Sequence, residues 1–290
     1  MTINRERTGR HASRRKQLAL HLAAYLIFML SACQADPSAD SSIDLEPASN
    51  PDVVRWALPD KLREISGLAL TRDQRLLAIT DEEAIVYEYD YQHGRLVKAF
   101  ALGEPTLRDD FEGIAVLNDT VWLMNSKGDL YSAIEGEDGE RLLYQKHKFI
   151  FKDDCELEGL AADEAKNALI LICKDAKRKK DRLFFEWSFA SEPAKTRLPE
   201  ADITASLGEK RFHPSGVEIN PANGNLWIVA AREHAVIEVA RDGTFIGVIM
   251  RLDSARHRQV EGITMTDDGR LLIADEADSG PATLAIYRMQ

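Results

Sequence analysis

Short apolar runs separated by polar turns recur along the chain from residue 53 onward. In the clearest copy, the alternating residues 155–161 and the apolar residues 169–173 flank a polar turn at residues 163–167. Alternation with a period of two, interrupted by Asn and Asp, is typical of half-buried β-hairpins. This unit is therefore predicted to be a pair of antiparallel strands.

The same unit occurs five times, and one glycine marks the equivalent position in every copy. These glycines are Gly67, Gly113, Gly159, Gly216 and Gly262. Successive glycines lie 46, 46, 57 and 46 residues apart. The long interval has 11 extra residues, which we assign to an inserted loop or short helix at residues 201–211. A period of this size indicates a radial or stacked array of repeats.

Each unit continues with three further apolar or alternating runs. In the first unit these are residues 76–81, 84–90 and 95–102, and in the second the last run is residues 142–151. Four short strands per unit are typical of a propeller blade. The sequence thus predicts an all-β fold, a β-propeller of four-stranded blades with five blades. A six-bladed ring is the alternative, but it would need a blade within the long interval, where residues 192–211 have little β pattern.

The ends of the repeat array predict how the ring closes. The last unit ends after three strands, at residues 283–288, whereas an unassigned strand, residues 53–58, precedes the first unit. If residues 53–58 join the last blade, the ring is closed and no sheet edge is left exposed.

The first 32 residues have the pattern of an export signal. Six basic residues precede an apolar stretch at residues 18–30, which is short for a membrane span. The following Leu30-Ser-Ala-Cys33 resembles a bacterial lipobox. This resemblance implies cleavage before Cys33 and lipid attachment to its sulfur; an uncleaved signal anchor is the alternative. Gln34, rather than Asp, resembles the sorting signal for the periplasmic face of the outer membrane.

The chain is accordingly divided into a signal peptide at 1–32, a lipidated Cys33 with a flexible tether at 33–52, and a propeller domain at 53–290. Residues 34–52 are rich in Ser, Asp, Pro and Ala, a composition that does not form a packed core. The chain from Cys33 onward has a net charge of −16. Such a charge disfavours nucleic acid as a partner.

Two cysteines remain in the predicted propeller. A hairpin turning near Ala165 places Cys155 and Cys173 almost opposite each other on adjacent strands. An oxidising periplasm favours a disulfide between them. Two buried free thiols, one register step out of line, are the alternative.

Two columns of polar residues precede the repeated glycines. Because side chains alternate along a strand, both columns are expected on one side of each first strand. In a propeller that strand is innermost, so both columns should converge near the axis. The outer column, three residues before the glycine, is Glu64, Asp110, Glu156, His213 and Gln259; the inner column, one residue before it, is Ser66, Glu112, Glu158, Ser215 and Glu261.

Six carboxylates near one axis require compensation, because neighbouring like charges raise each other's pKa. One interpretation is a divalent cation, with Ca²⁺ the best match to oxygen ligands. The other is local pairing with Arg63, Arg258, Lys174 and Arg232. The ends of the second strands add a polar channel mouth formed by Asp81, Glu82, Lys174, Arg232, Asp275 and Glu276.

Sequence motifs for catalysis are weak. The chain has no Gly-x-Ser-x-Gly elbow, His-Glu-x-x-His pair or phosphate-binding glycine loop. The His213-Pro-Ser215 stretch places a His near a Ser, a pairing that also arises from turn and packing requirements.

The repeated Ile65-Ser-Gly-Leu68, Phe111-Glu-Gly-Ile114, Glu156-Leu-Glu-Gly-Leu160 and Val260-Glu-Gly-Ile263, behind a lipoprotein leader, resemble the SdiA-regulated β-propeller family. The resemblance covers roughly residues 53–290 and implies an exported propeller, without assigned catalytic residues.

We therefore expect a membrane-tethered periplasmic binding or interaction module, with a small polar ligand or another envelope protein as partner. A metal-dependent hydrolase of phosphoesters, esters or lactones is the alternative.

Overall fold

The computed structural model describes residues 53–148, 155–176 and 182–289. The predicted signal peptide, Cys33 and the tether lie outside these residues. Within the described ranges, neither helical segment combines the length and apolar character that a bilayer crossing requires.

Five sheets are arranged as a five-bladed propeller, which confirms the predicted fold class and blade count. Blade 1 contains β2 (Ile65–Leu70), β3 (Leu76–Thr80), β4 (Ile85–Asp90) and β5 (Arg95–Leu102). Blade 2 contains β6 (Phe111–Leu117), β7 (Thr120–Asn125), β8 (Leu130–Ile134) and β10 (Gln145–His147). Blade 3 contains β11 (Cys155–Asp163), β12 (Ala168–Ala176), β13 (Leu183–Trp187) and β14 (Ala194–Arg197).

Blade 4 contains β15 (Pro214–Ile219), β16 (Leu226–Ala230), β17 (Ala235–Val239) and β18 (Phe245–Arg251). Blade 5 contains β19 (Val260–Met265), β20 (Arg270–Asp275), β21 (Thr283–Arg288) and the N-terminal β1 (Val53–Ala57). A 3₁₀ turn spans Asp60–Leu62. The segment inserted between blades 3 and 4 forms α1 (Glu200–Leu207).

The ring closes as the sequence predicts, through the N-terminal strand. β1 pairs antiparallel with β21, with Val53 opposite Tyr287 and Ala57 opposite Thr283. This pairing covers the edge that blade 5 would otherwise expose, and it joins the two ends of the repeat array.

The outer strand of blade 2 differs from the predicted run at residues 142–151. The short β9 (Arg141–Leu142) instead pairs parallel with β5 of blade 1, and Gln145–His147 pairs with β8, while residues 149–151 of the run lie outside the described residues. Leu142 is buried beside Phe100 in the core between blades 1 and 2. Burial of this side chain holds the chain against blade 1 before it crosses to blade 2.

The hydrophobic core consists of five layers, each between two neighbouring blades. In one layer, Leu77 and Phe100 of blade 1 pack with Leu123 and Tyr131 of blade 2. Equivalent layers lie between the other neighbouring pairs, including blades 5 and 1. Because both faces of each sheet are covered, second strands such as β12 read as continuous apolar runs rather than alternating ones.

The predicted disulfide is present. Cys155 and Cys173 are bonded, with their Cα atoms 5.7 Å apart on paired strands β11 and β12. The bond ties the two innermost strands of blade 3 together one residue before Lys174.

Candidate functional site

Every innermost strand has a β-bulge next to its repeated glycine. The register shifts between Ile65 and Gly67 in blade 1, and the same irregularity occurs at the equivalent place in the other four blades. A bulge bends a strand and changes the direction of the extra side chain. The bulge thus aims the inner-column residues, such as Ser66 and Glu112, at the propeller axis.

Each repeated glycine packs against the residue that follows the next glycine in the ring. A Cβ at Gly113 would lie 2.7 Å from the Cβ of Leu160, and a Cβ at Gly262 would lie 2.8 Å from the Cγ of Leu68. Contacts this short exclude a side chain, so glycine is required for the close approach of neighbouring blades. The residues that fill these positions form an apolar ring of Leu68, Ile114, Leu160, Val217 and Ile263.

The apolar ring nearly closes the axial channel. The space left at this level is about 10 Å³, roughly the volume accessible to one water. The channel is therefore divided into two separate cavities. One, which we call the axial vestibule, opens at the mouth that contains the inner and outer columns; the other, the opposite cavity, opens at the far ends of the innermost strands.

Three carboxyl groups of the inner column form a cluster above the apolar ring, and one ammonium group compensates them. Lys174 donates a hydrogen bond from Nζ to Oε1 of the buried Glu158 at 2.6 Å. Burial lowers the pKa of Lys174, but the surrounding carboxylates of Glu158, Glu261 and Glu112 outweigh burial and raise it. The lysine is therefore a cation built into the site.

The carboxyl cluster holds protons at neutral pH because one cation cannot balance three carboxylates. Burial, followed by repulsion from Glu158, raises the pKa of Glu112 to about 9 and that of Glu261 to about 8. Burial raises the pKa of Glu158 to about 7, although Lys174 opposes the shift. The vestibule floor consequently presents carboxylic acid donors together with the lysine ammonium.

The axial vestibule has a volume of about 330 Å³ and a mostly polar lining. Within the described chain, the hydroxyl of the buried Ser215 has no hydrogen-bond partner. Such a group is normally satisfied by water or a ligand. The polar lining comprises Lys174, His213, Ser215, Arg232, His234, Arg258, Gln259 and Glu261.

His213 is held in place by an acid that lies outside the two polar columns before the repeated glycines. Its Nδ1 lies 2.7 Å from Oε1 of Glu233, and its backbone N–H donates to Oε2 of the same carboxylate at 3.0 Å. Both residues are buried. Glu233 follows β16 at a position that also carries a carboxylate in blades 1 and 5, where Glu83 and Asp278 stand, so this match was the sequence signal for it.

The outer column forms the rim of the mouth. Glu64, Asp110, Glu156 and Gln259 are exposed, in contrast to His213. Of the predicted mouth residues, Asp81 and Glu276 lie close to this rim. Burial and the neighbouring Glu64 raise the pKa of Asp81, and burial and Asp81 raise that of Glu276. Glu82 is exposed and pairs with Arg108 at 2.9 Å.

Asp275 is buried behind the mouth instead of lining the axial vestibule. Its Oδ2 lies 2.7 Å from Nδ1 of the fully buried His257 and 3.8 Å from Nη1 of Arg55 on β1. Arg55 also donates to Nε2 of His257 at 2.8 Å. The carboxylate of Asp275 thus anchors the strand that closes the ring.

The carboxyl cluster is a poor match to a metal centre as the side chains stand. Among the described residues, no three His, Cys, Asp or Glu side chains are grouped as metal ligands. The ammonium of Lys174 already bonds the most buried carboxylate. A cation placed there would be repelled by it.

Comparison with known proteins identifies both a family and a fold. A family model described as SdiA-regulated matches residues 52–279. No curated protein matches the sequence.

Similar solved structures include the glutaminyl cyclase of Myxococcus xanthus, with a TM-score of 0.56, 12% identity and coverage of 80% of this chain and 93% of that chain. A luciferin-regenerating enzyme has a TM-score of 0.52 and 9% identity, and the match covers 79% of this chain and 92% of that enzyme. At these identities the similarity establishes the fold alone.

Proposed function

The chain belongs to the SdiA-regulated family, and we propose that its propeller is a binding module that takes a small polar ligand in the axial vestibule. The observation that carries this proposal is the buried hydroxyl of Ser215, which faces a blind polar cavity and has no partner in the described chain. The apolar ring closes the cavity below, so a ligand would be enclosed rather than conducted. Pockets with a few fixed polar groups are suited to binding small molecules.

Two variants test the location of this site. Purified full chain is heated with amino acids, sugars, polyols, dicarboxylates, polyamines and divalent metal salts in separate samples. At least one solute should raise the melting temperature, because binding to the folded state stabilises it. The shift should disappear in Ser215→Val and persist in Gln74→Ala, which alters the opposite cavity. No shift with any solute, or a shift lost only in Gln74→Ala, would contradict the proposal.

We also propose that the propeller is exported and attached to the membrane through a lipid on Cys33, with residues 34–52 as the tether. Support comes from the lipobox-like sequence and the basic, apolar and polar order of the leader. Cells grown with an alkyne fatty acid should yield labelled protein in the outer-membrane fraction. The label should be absent from Cys33→Ser; label that persists in this variant would exclude Cys33 as the attachment site.

A hydrolase is the second candidate, and the His213–Glu233 pair favours it. A buried carboxylate that orients an imidazole is the arrangement of a general base, and this imidazole lines the vestibule. A panel of esters, lactones and phosphoesters should then be cleaved, with the rate lost in His213→Asn and Glu233→Gln.

The metal-dependent form of this candidate predicts a further result. Chelation would lower both the rate and the melting temperature, and Glu158→Gln would abolish both effects. If metal analysis finds no divalent ion and chelation changes neither quantity, the metal-dependent form is excluded.

A further inference from the structure

Most charged side chains around the axial vestibule are sorted by sign, with Glu156 of blade 3 and Arg63 beside Glu276 as the exceptions. The acidic flank, which we define as Glu64, Asp81, Asp110 and Glu276, comes from blades 1, 2 and 5. The basic flank is Lys174, Arg232 and Arg258, from blades 3 and 4 and from the segment entering blade 5. The mouth is therefore polarised across the axis.

The acidic residues lie close enough to repel one another. Glu64 and Asp110 both raise the pKa of Asp81, and Asp81 and Glu64 raise that of Glu276. Within the described ranges, none of these four carboxylates forms an ion pair shorter than 4 Å. Arg63 and Lys174 offset the repulsion at Glu276 only in part. An ammonium group arriving at this flank would relieve the repulsion.

The basic flank is also incompletely neutralised. Across the described chain, Arg232 has no ion-pair partner, and it is exposed at the edge of the vestibule. Arg258 pairs at 3.2 Å with Asp278, but both side chains are more than half exposed, so this pair is weak. Arginine presents paired N–H donors that match a carboxylate.

Two polar side chains of blade 4 at the vestibule also have hydrogen-bonding atoms without a partner in the described chain. The Ser215 side chain is only 2% exposed, and its hydroxyl is free to bond within the vestibule. His213 uses Nδ1 to bond Glu233, and its Nε2 has no hydrogen bond in the described chain. These groups suit a ligand that carries both donors and acceptors along its length.

We propose that the axial vestibule binds a small zwitterion, namely an amino acid or short peptide with a free amino group and a free carboxylate. Its carboxylate faces the basic flank and its ammonium faces the acidic flank. This inference rests on the proposed binding function and specifies its ligand class. A purely anionic ligand would leave the charges of the acidic flank unneutralised. A purely cationic ligand would leave the charges of the basic flank unneutralised.

The test uses calorimetric titration of the purified full chain with the twenty free amino acids and the dipeptide Ala-Ala. For the best binder, N-acetyl and carboxamide derivatives are titrated in parallel. The free form should bind at least about tenfold more tightly than either derivative, because each derivative removes one charge-assisted contact.

Two outcomes overturn the inference in distinguishable ways. If a capped derivative binds as tightly as the free form, or if only sugars, dicarboxylates or polyamines bind, the vestibule is a ligand site but not one for zwitterions. If none of these solutes binds, the proposed binding function fails as well.

Variants assign each charge to its flank. Arg232→Gln should weaken binding of the free ligand about tenfold but leave binding of the carboxamide derivative unchanged. Glu276→Gln should also weaken binding of the free ligand about tenfold, but it should leave binding of the N-acetyl derivative unchanged. Arg288→Gln and Glu209→Gln, which change exposed charges elsewhere, should leave all affinities unchanged. Equal weakening of free and capped ligands by either mouth variant would overturn the assignment.

Discussion

The two ends of the propeller axis have cavities of similar size but different chemistry. In the opposite cavity, of about 310 Å³, most polar side chains are paired with one another, although the exposed carboxylate of Asp267 has no partner in the described chain. There Arg72 pairs with Glu164 at 2.9 Å, and Glu218 accepts from the hydroxyl of Thr264 at 2.7 Å. The axial vestibule, of about 330 Å³, instead contains Ser215 and Arg232, which have no partners in the described chain. The buried, unpartnered hydroxyl of Ser215 distinguishes the mouth from the opposite cavity, and the proposed binding function rests on this difference.

Both ends derive from the same repeated strand, and a local feature of that strand distinguishes them. At the mouth, the bulge beside each glycine aims the inner-column side chains at the axis. At the far end the strands run on without this irregularity into the turn that follows. The geometry of the bulge therefore explains why chemistry-bearing residues gather at one end.

Removal of the disulfide should have the largest effect on stability. The effect should differ between the two ends of the axis, because the disulfide ties β11 to β12 only near the mouth. Cys155→Ala combined with Cys173→Ala should reduce the free energy of unfolding by about 3 kcal/mol, the effect of opening a loop of this length. Hydrogen exchange should accelerate more at Lys174 than at Ala168, which lies at the far end of β12. Uniform acceleration along β12 would show that the bridge does not act locally.

The apolar ring separates the two cavities, and adding a methyl group to one of the repeated glycines that pack against it should disrupt the ring. Gly113→Ala should reduce the free energy of unfolding by about 2 kcal/mol, because the new Cβ meets both side chain and backbone of Leu160. Gly247→Ala is the matched control, since a Cβ there contacts nothing within 4 Å. Chemical denaturation measures both. Equal stability of the two variants would mean that neighbouring blades are not in close contact at the ring.

The pH dependence of stability should distinguish the carboxyl groups of the two ends. Glu112 and Glu261 have folded-state pKa values of about 9 and 8, above the usual 4.5, so the folded state binds more protons and loses stability as pH rises toward 9. Glu218, in the opposite cavity, has a pKa raised to about 7 by burial, so about half of its proton is already lost at pH 7 and it adds little to the decline above that pH. The decline between pH 7 and 9 should therefore come from the mouth.

Glu261→Gln should make that decline smaller by about 1 kcal/mol, whereas Glu218→Gln should leave it nearly unchanged. Denaturation midpoints at pH 7 and pH 9 measure the difference. If Glu218→Gln flattens the decline as much as Glu261→Gln, the protons are not held at the mouth.

The smallest effect is expected for the ion pair at the opposite end. Arg72→Gln should leave the free energy of unfolding nearly unchanged, because the side chains of Arg72 and Glu164 are 60% and 44% exposed. It should also leave ligand affinity unchanged, in contrast to Arg232→Gln. Loss of binding in Arg72→Gln would place the ligand in the opposite cavity.

The repeat made the architecture predictable, because five glycines with Glu or Ser before them, 46 residues apart in three of four intervals, indicate five equivalent innermost strands. The ring closure by residues 53–58 followed from an incomplete last unit and an unpaired first strand. The outer strand of blade 2 was not predictable, because the burial of Leu142 against blade 1 is a tertiary preference that strand periodicity does not record.

The site was predictable only where it follows the repeat. The inner column pointed to the carboxyl cluster, but Glu233 lies outside the two columns, and its contact with His213 depends on how the chain turns after β16. Asp275 occupies a repeat position at the end of its strand, yet the neighbouring His257 and Arg55 draw it into the closure of the ring. Whether such a carboxylate lines the vestibule or is buried behind it depends on partners that are distant in sequence.

The most direct test of the account is amide chemical-shift mapping of the full chain with the tightest-binding free amino acid or with Ala-Ala. If the ligand occupies the axial vestibule, the changes in amide chemical shift should concentrate at Lys174, Ser215, Arg232 and Gln259. No changes should occur at Thr71, Glu218 or Thr264. Shifts concentrated at Thr71, Glu218 and Thr264, or no shifts at saturating concentrations, would contradict it.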